Sequence, residues 1–159
     1  MKKHLVLTLN LPPEISSALQ AALEKAGRRE IGGILMAEHI GINEFTVREI
    51  TIHHHGIYAY FLRRIEDALG KLHSFFQRTE HDYSRFNYLG EWHSHPSFAP
   101  YPSRVDDISM LEIVQDDTVG ANFTVLLIVK LDPSNQLIAK AYTYFPDGQR
   151  LVANVKVIC

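Results

Sequence analysis

The chain has 159 residues, 46% of them hydrophobic and 21% charged, a length that suits one domain able to bury its own core. Sixteen Lys and Arg against eighteen Asp and Glu leave a formal net charge of −2, so no global basic field points to nucleic acid or an anionic membrane. The one cysteine, Cys159, excludes an internal disulfide framework and any multi-cysteine zinc site, and no apolar run approaches the roughly 18 to 20 residues that span a bilayer.

Leu5, Leu7 and Leu9 alternate with Val6, Thr8 and Asn10, which predicts a first strand over Leu5–Leu11 with one buried face. The Met1-Lys2-Lys3-His4 start is basic, but Pro12-Pro13 cuts the short apolar stretch that follows. The segment therefore reads as a strand rather than a secretion signal, and a cytoplasmic protein is expected. Pro12-Pro13 opens a helix with its stripe at Ile15, Leu19, Leu23 and Ala26, closed by Gly27. Ile31–Ala37 is too short for a helix and reads as a buried strand. Gly32 and Gly33 within it are costly unless a backbone or ligand approaches closely.

Phe45–Ile52 is a further strand whose apolar phase switches near Glu49, the mark of a bulge or twist. From Ala59 to Gln77 the period turns helical through Leu62, Ile65, Leu69, Leu72 and Phe76. Phe86–Trp92 is extended again. A loop rich in Pro and Ser leads into a helix over Arg104–Gln115, with Val105, Ile108, Leu111 and Val114 predicted along one side. Phe123–Leu131 is almost continuously apolar, as a central strand buried on both faces would be. Turns at Asp132–Asn135 and Pro146–Gly148 separate it from strands over Leu137–Phe145 and Leu151–Ile158. No linker or repeat divides the chain. The expected architecture is a single domain over residues 1–159 of class α/β or α+β, a mixed sheet with about three helices.

The chemistry concentrates in residues 91–106. His93 and His95 are two apart at the end of a predicted strand, so both imidazoles project from one face. Asp106 follows eleven residues after His95, in the first turn of the next helix. Two imidazole nitrogens and one carboxylate oxygen make a three-ligand set of the kind that holds catalytic zinc, with a fourth position open. Pro96, Pro100 and Pro102 stiffen the intervening loop. Ser103 stands three before Asp106, placed to cap the helix or to face a metal. On this composition, His-x-His-x7-Ser-x2-Asp arises by chance in roughly one chain in a thousand.

His93-Ser94-His95-Pro96, followed after Pro102 by Ser103-x-x-Asp106, resembles the JAMM motif of JAB/MPN-domain metallopeptidases. That family also places a Glu before a Gly-containing apolar strand, as Glu30 precedes Ile31-Gly32-Gly33-Ile34-Leu35-Met36-Ala37 here. Leu89-Gly90-Glu91-Trp92-His93 is similar to the prokaryotic branch. The resemblance covers essentially the whole chain and implies a JAB/MPN-like, cytidine-deaminase-like fold. It implies one zinc ion per chain on His93, His95 and Asp106. By the same resemblance, Glu30 is the general acid/base that passes a proton from water to the leaving amine, and Ser103 supports the oxyanion.

The implied activity is hydrolysis of a peptide or isopeptide bond after the C-terminus of a ubiquitin-like protein. The small size is most similar to the JAB peptidases of bacterial CBASS antiphage operons. Those free a cGAS-like nucleotidyltransferase from conjugates made by an E1/E2-like ligase. A sulfur-carrier-trimming peptidase would use the same residues, and a non-catalytic MPN scaffold is the reading from another class. No membrane or nucleic-acid partner is expected.

Several neighbours are read more plainly. Glu91 and Asp107 border the motif as partners that would orient the His ligands, Asp107 equally as a charge at a helix start. Trp92 is expected to pack. His53-His54-His55 alternates faces along a strand end and finds no second cluster to complete a metal site. Arg28-Arg29, Arg63-Arg64 and Lys71 are expected on solvated helix faces, and Cys159 in an exposed tail.

Overall fold

A computed structural model describes residues 3–53 and 65–158, without the side chains of 65–68. The element order is β1 (Thr8–Leu11), α1 (Pro13–Ala26), β2 (Gly32–Gly41), β3 (Glu44–Ile50), α2 (Ile65–Arg78), β4 (Phe86–Ser94), α3 (Arg104–Gln115), β5 (Thr124–Leu131), β6 (Leu137–Tyr144) and β7 (Arg150–Val157). Hydrogen bonding follows β1-β3-β2-β4-β5-β6-β7 and closes β7 back onto β1. The β1 pairings with β3 and β7, and the β4 pairing with β5, are parallel; the others are antiparallel. The expected mixed α+β class with three helices is therefore observed, with its sheet closed into a barrel. Closure pairs both edges of the sheet.

Two faces of this sheet carry different loads. Leu7, Leu9 and Leu11, Leu35 and Ala37, Trp92, and Val125, Leu127 and Val129 gather on the inner face. Against them α1 lays Ile15, Leu19, Leu23 and Ala26, the stripe expected from their spacing. Burying each of the three larger side chains contributes about 1.5–3 kcal/mol in transfer terms. The outer face takes the other two helices. Met110, Ile113 and Val114 of α3 pack on Leu126, Ile128, Tyr142 and Tyr144. Phe75 of α2 packs on Ile34 and Met36. A strip of β4 is left between α2 and α3.

Three expectations about facing are corrected. β1 starts at Thr8, and Leu5 is 64% exposed, because β1 finds its partner strands only from Thr8 onward. On α3 the first half of the predicted stripe points outward, with Val105 and Ile108 exposed, while Val114 is buried and Leu111 packs partly buried beside it. Asp106, Ser109, Met110 and Ile113 face inward instead, because the carboxylate must reach β4. On α2 the buried aromatic is Phe75, one position from the predicted Phe76, and Leu69 is exposed. The predicted start of α2, at residues 59–64, lies outside the described residues. The phase switch in β3 is a bulge, since Met36 pairs with Glu49 and Ala37 with Val47, leaving Arg48 as the extra residue.

The expected close approach at the glycine pair is another backbone. A Cβ on Gly33 would lie 1.8 Å from the Thr51 carbonyl oxygen. Gly90 plays the same part across β4 and β5, where a Cβ would come within 1.9 Å of the Val125 oxygen. These contacts let β4 sit deep between its neighbours, and β4 carries the histidines.

Candidate metal centre

β4 is clamped on both sides where it matters. His93 stands opposite Gly32 of β2 and Ile128 of β5, and the His95 amide donates to the Val129 carbonyl at 3.0 Å. Ser94, between the histidines, turns inward. Its hydroxyl accepts the Ile31 amide at 2.8 Å and its own amide donates to the Ile31 carbonyl at 2.8 Å. His93 and His95 thus emerge on the outer face, between α2 and α3, as their spacing predicts.

Helix α3 supplies the third residue. Ser103 is its N-cap, with its hydroxyl accepting the Asp106 amide at 3.1 Å, while the Asp106 Oδ2 accepts the Ser103 amide at 2.9 Å. This reciprocal box is the local reason for a Ser-x-x-Asp spacing, and it fixes the carboxylate before any other contact forms. Asp106 is completely buried and touches both rings. Its Oδ1 lies 3.2 Å from His93 Nδ1 and its Oδ2 lies 3.2 Å from His95 Nε2. The three residues that were expected to act together are therefore together.

Each ring has a second partner on its far nitrogen. His95 Nδ1 faces the Ala99 carbonyl at 3.1 Å, and His93 Nε2 faces Glu91 Oε2 at 3.1 Å. Burial would lift the Asp106 carboxyl, but hydrogen bonds from both imidazoles and the Ser103 amide prevail and hold it far below the usual carboxylate range. For His93, burial opposes the charged ring, yet Asp106 and Glu91 outweigh it and raise its proton affinity. His95 is raised in the same sense, with Asp106 and the Ala99 carbonyl overcoming desolvation.

Glu30 lies half-buried in the turn between α1 and β2. Continuing the antiparallel register from Gly32 opposite His93 brings it level with His95, on the same face of the sheet. Ser103 is exposed at the mouth of the site. Its oxygen is occupied by the Asp106 amide, which leaves its proton to donate elsewhere.

The bordering residues divide. Glu91 takes the orienting position on His93, whereas Asp107 turns away. Asp107 accepts from Arg150 at 2.8 and 2.9 Å and from the Tyr144 hydroxyl at 2.6 Å, tying the start of α3 to β6 and β7. Sequence reasoning missed Arg150 and the Ala99 carbonyl. A distant arginine and a backbone oxygen leave no local spacing signal. Trp92 packs as expected, fully buried, with its indole N–H donating to the Thr51 carbonyl at 2.8 Å. His53 bridges to Gly32 through the backbone, while His54, His55, Arg63, Arg64 and Cys159 lie outside the described residues. Lys71 is exposed on α2, as expected, whereas Arg28 and Arg29 are exposed in the turn after α1 rather than on a helix.

The donor set suits zinc by its chemistry. Two ligand atoms on a tetrahedral zinc, with bonds of about 2.0–2.1 Å, stand about 3.3–3.4 Å apart. Both ring-to-carboxylate contacts are 3.2 Å. Each ring also has an acceptor behind it, the arrangement that fixes a ligand's tautomer. Asp106 nonetheless turns a different oxygen to each ring. Among the described residues no group of three or more His, Cys, Asp or Glu side chains stands ready-made for an ion. Also among the described residues, no helix is long and apolar enough to cross a membrane.

A barrel with an HxH strand end facing a capped aspartate defines a class, and comparison with known proteins agrees on it. Residues 12–141 match the family described as prokaryotic homologs of the JAB domain, and the chain belongs to that family. The solution structure of protein DSY2949 from Desulfitobacterium hafniense is similar, with a TM-score of 0.63 over 94% of this chain and 92% of that one, at 17% identity. That likeness concerns the fold. A search of curated proteins gave no match.

Proposed function

We propose that this chain is a zinc-dependent JAMM-type peptidase that cleaves the peptide or isopeptide bond after the C-terminus of a ubiquitin-like protein or a conjugated cGAS-like nucleotidyltransferase. In that role it would reverse the work of an E1/E2-like ligase. The observation that carries the reading is the convergence of His93, His95 and Asp106 on the outer face of the sheet, with Glu30 two residues before Gly32, the partner of His93. Those three side chains would hold the ion. Bound there, zinc would polarise the scissile carbonyl and make water nucleophilic near neutral pH.

The chain's own groups do the rest. The Glu30 carboxylate takes the proton of the attacking water and delivers it to the nitrogen of the leaving amine. Ser103, already donating nothing to Asp106, points its hydroxyl proton at the oxyanion. The Ser103–Asp106 box and the prolines of the preceding loop keep both residues in register, so that less ordering is needed when substrate arrives.

Zinc-loaded protein, wild type or Glu30→Ala, tests this by intact mass spectrometry on three substrates with C-terminal extensions. These are a cGAS-like nucleotidyltransferase, a ubiquitin-like protein and a sulfur-carrier protein. Cleavage at a junction by wild type alone supports the peptidase, and the substrate cut separates deconjugation from sulfur-carrier trimming. With zinc bound and none of the three cut, the non-catalytic scaffold reading stands in its place.

A further inference from the structure

Glu91 is a buried carboxylate with one hydrogen-bond partner among the described residues. Only 1% of the residue is exposed, its Oε2 meets His93 Nε2 at 3.1 Å, and its Oε1 has no hydrogen bond among the described residues. An ionised carboxylate in such a place costs several kcal/mol of desolvation, and a single hydrogen bond repays little of that. An apolar side chain of similar size would serve packing better. The position is therefore explained by what it does to His93.

The geometry on the ring says what that is. His93 directs Nδ1 to Asp106 and Nε2 to Glu91, so the two carboxylates lie on opposite sides of one imidazole. Glu91 cannot share an ion held between Nδ1 and Asp106. It can accept the Nε2 proton, which makes Nδ1 the donor atom on the Asp106 side and fixes the ring plane. His95 is held in the complementary way, with Nδ1 on the Ala99 carbonyl and Nε2 toward Asp106.

We propose that Glu91 is a positioning residue that holds His93 as the Nε2–H tautomer, so that the metal centre takes His93 through Nδ1 and His95 through Nε2. This rests on the zinc reading above and adds to it a residue and an asymmetry between the two histidines. An acceptor behind the ring makes His93 a stronger donor at Nδ1.

The test compares wild type with Glu91→Gln, which keeps the shape, and Glu91→Ala. Zinc affinity is measured by competition with a chromophoric chelator, and the ring nitrogens of zinc-loaded wild type are assigned by long-range proton–nitrogen NMR. The expected result is a loss of about 10- to 100-fold in zinc affinity for the alanine variant and a smaller loss for glutamine. Glu91→Ala strands the buried His93 Nε2–H and should lower the apo melting temperature, whereas Glu91→Gln keeps an acceptor there and should stay close to wild type. In wild type the His93 proton should sit on Nε2 and the metal on Nδ1. Affinity within twofold of wild type in Glu91→Ala, a Glu91→Gln apo melting temperature as low as that of the alanine variant, or a metal on His93 Nε2 would each overturn the inference while leaving the zinc reading intact. A wild type that takes no zinc overturns both.

Discussion

Gly33→Ala is the sharpest probe of how the fold supports the site. The new methyl would lie 1.8 Å from the Thr51 carbonyl oxygen and 2.6 Å from its carbon. An ordinary contact, at about 3.4 Å or more, therefore requires the two backbones to separate by about 1.6 Å. They cannot separate freely. Thr51 is bound to Ile34 through both its amide, at 3.2 Å, and its hydroxyl, at 2.9 Å, and His53 and Gly32 exchange amides just beyond. The Thr51 oxygen is also the acceptor for the Trp92 indole. Overpacking costs about 1–3 kcal/mol, and stranding a buried indole N–H costs about 1–3 kcal/mol more. For a domain of this size the sum lowers the melting temperature by roughly 5–20 °C.

Gly70→Ala is the matched control. A Cβ there meets nothing within 4 Å, and α2 should gain about 0.5–1 kcal/mol. Calorimetry of the three proteins, with the Trp92 indole resonance followed in parallel, reads the difference. A Gly33→Ala protein melting within 1 °C of wild type, or a Gly70→Ala protein falling as far, would refute the close-approach argument.

Two further outcomes are expected. His95→Ala and Asp106→Ala should each lose zinc in elemental analysis, and full occupancy in either would remove that residue from the ligand set. Asp106→Ala should also melt lower, since the Ser103 amide loses its acceptor. Glu38 provides the pH dependence. Burial raises its carboxyl, but hydrogen bonds from Arg48 and Arg85 more than offset this and leave it lowered. A lowered carboxyl contributes stability above its unfolded value of about 4.5 and loses it as pH falls through the lower folded value. With Arg48 and Arg85 partly exposed, the effect is about 1 kcal/mol. Glu38→Gln should therefore be less stable than wild type at pH 7, and the gap should close below about pH 4.5. A gap that persists unchanged at pH 3 would remove the ion pairs as its cause.

Much of this molecule is legible along the chain because the signals are local. The stripe of α1, the Pro12-Pro13 start, the turns after β5 and β6 and the bulge in β3 each depend on residues a few positions apart. The donor set is local in the same way. Period two puts His93 and His95 on one face, and Ser103 with Asp106 closes a capping box whose reach is three residues. Gly33 is half legible: its cost in a strand announces a close approach, and only the fold identifies Thr51 as what approaches.

What the tertiary structure decided depends on contacts between distant segments. Composition along α3 favours burying Val105 and Ile108, yet the helix turns Asp106 inward, because the carboxylate meets both imidazoles there while Met110 and Ile113 still cover β5. Asp107, one residue on, is drawn instead to Arg150 across 43 positions of sequence. Leu5 stays exposed because β1 has pairing partners only from Thr8, and the parallel closure of β1 on β7 joins the two ends of the chain. The orientation of His93 between Glu91 and Asp106 belongs here as well. Spacing determines which face a ring projects from, and the groups packed around it determine which nitrogen is left to act.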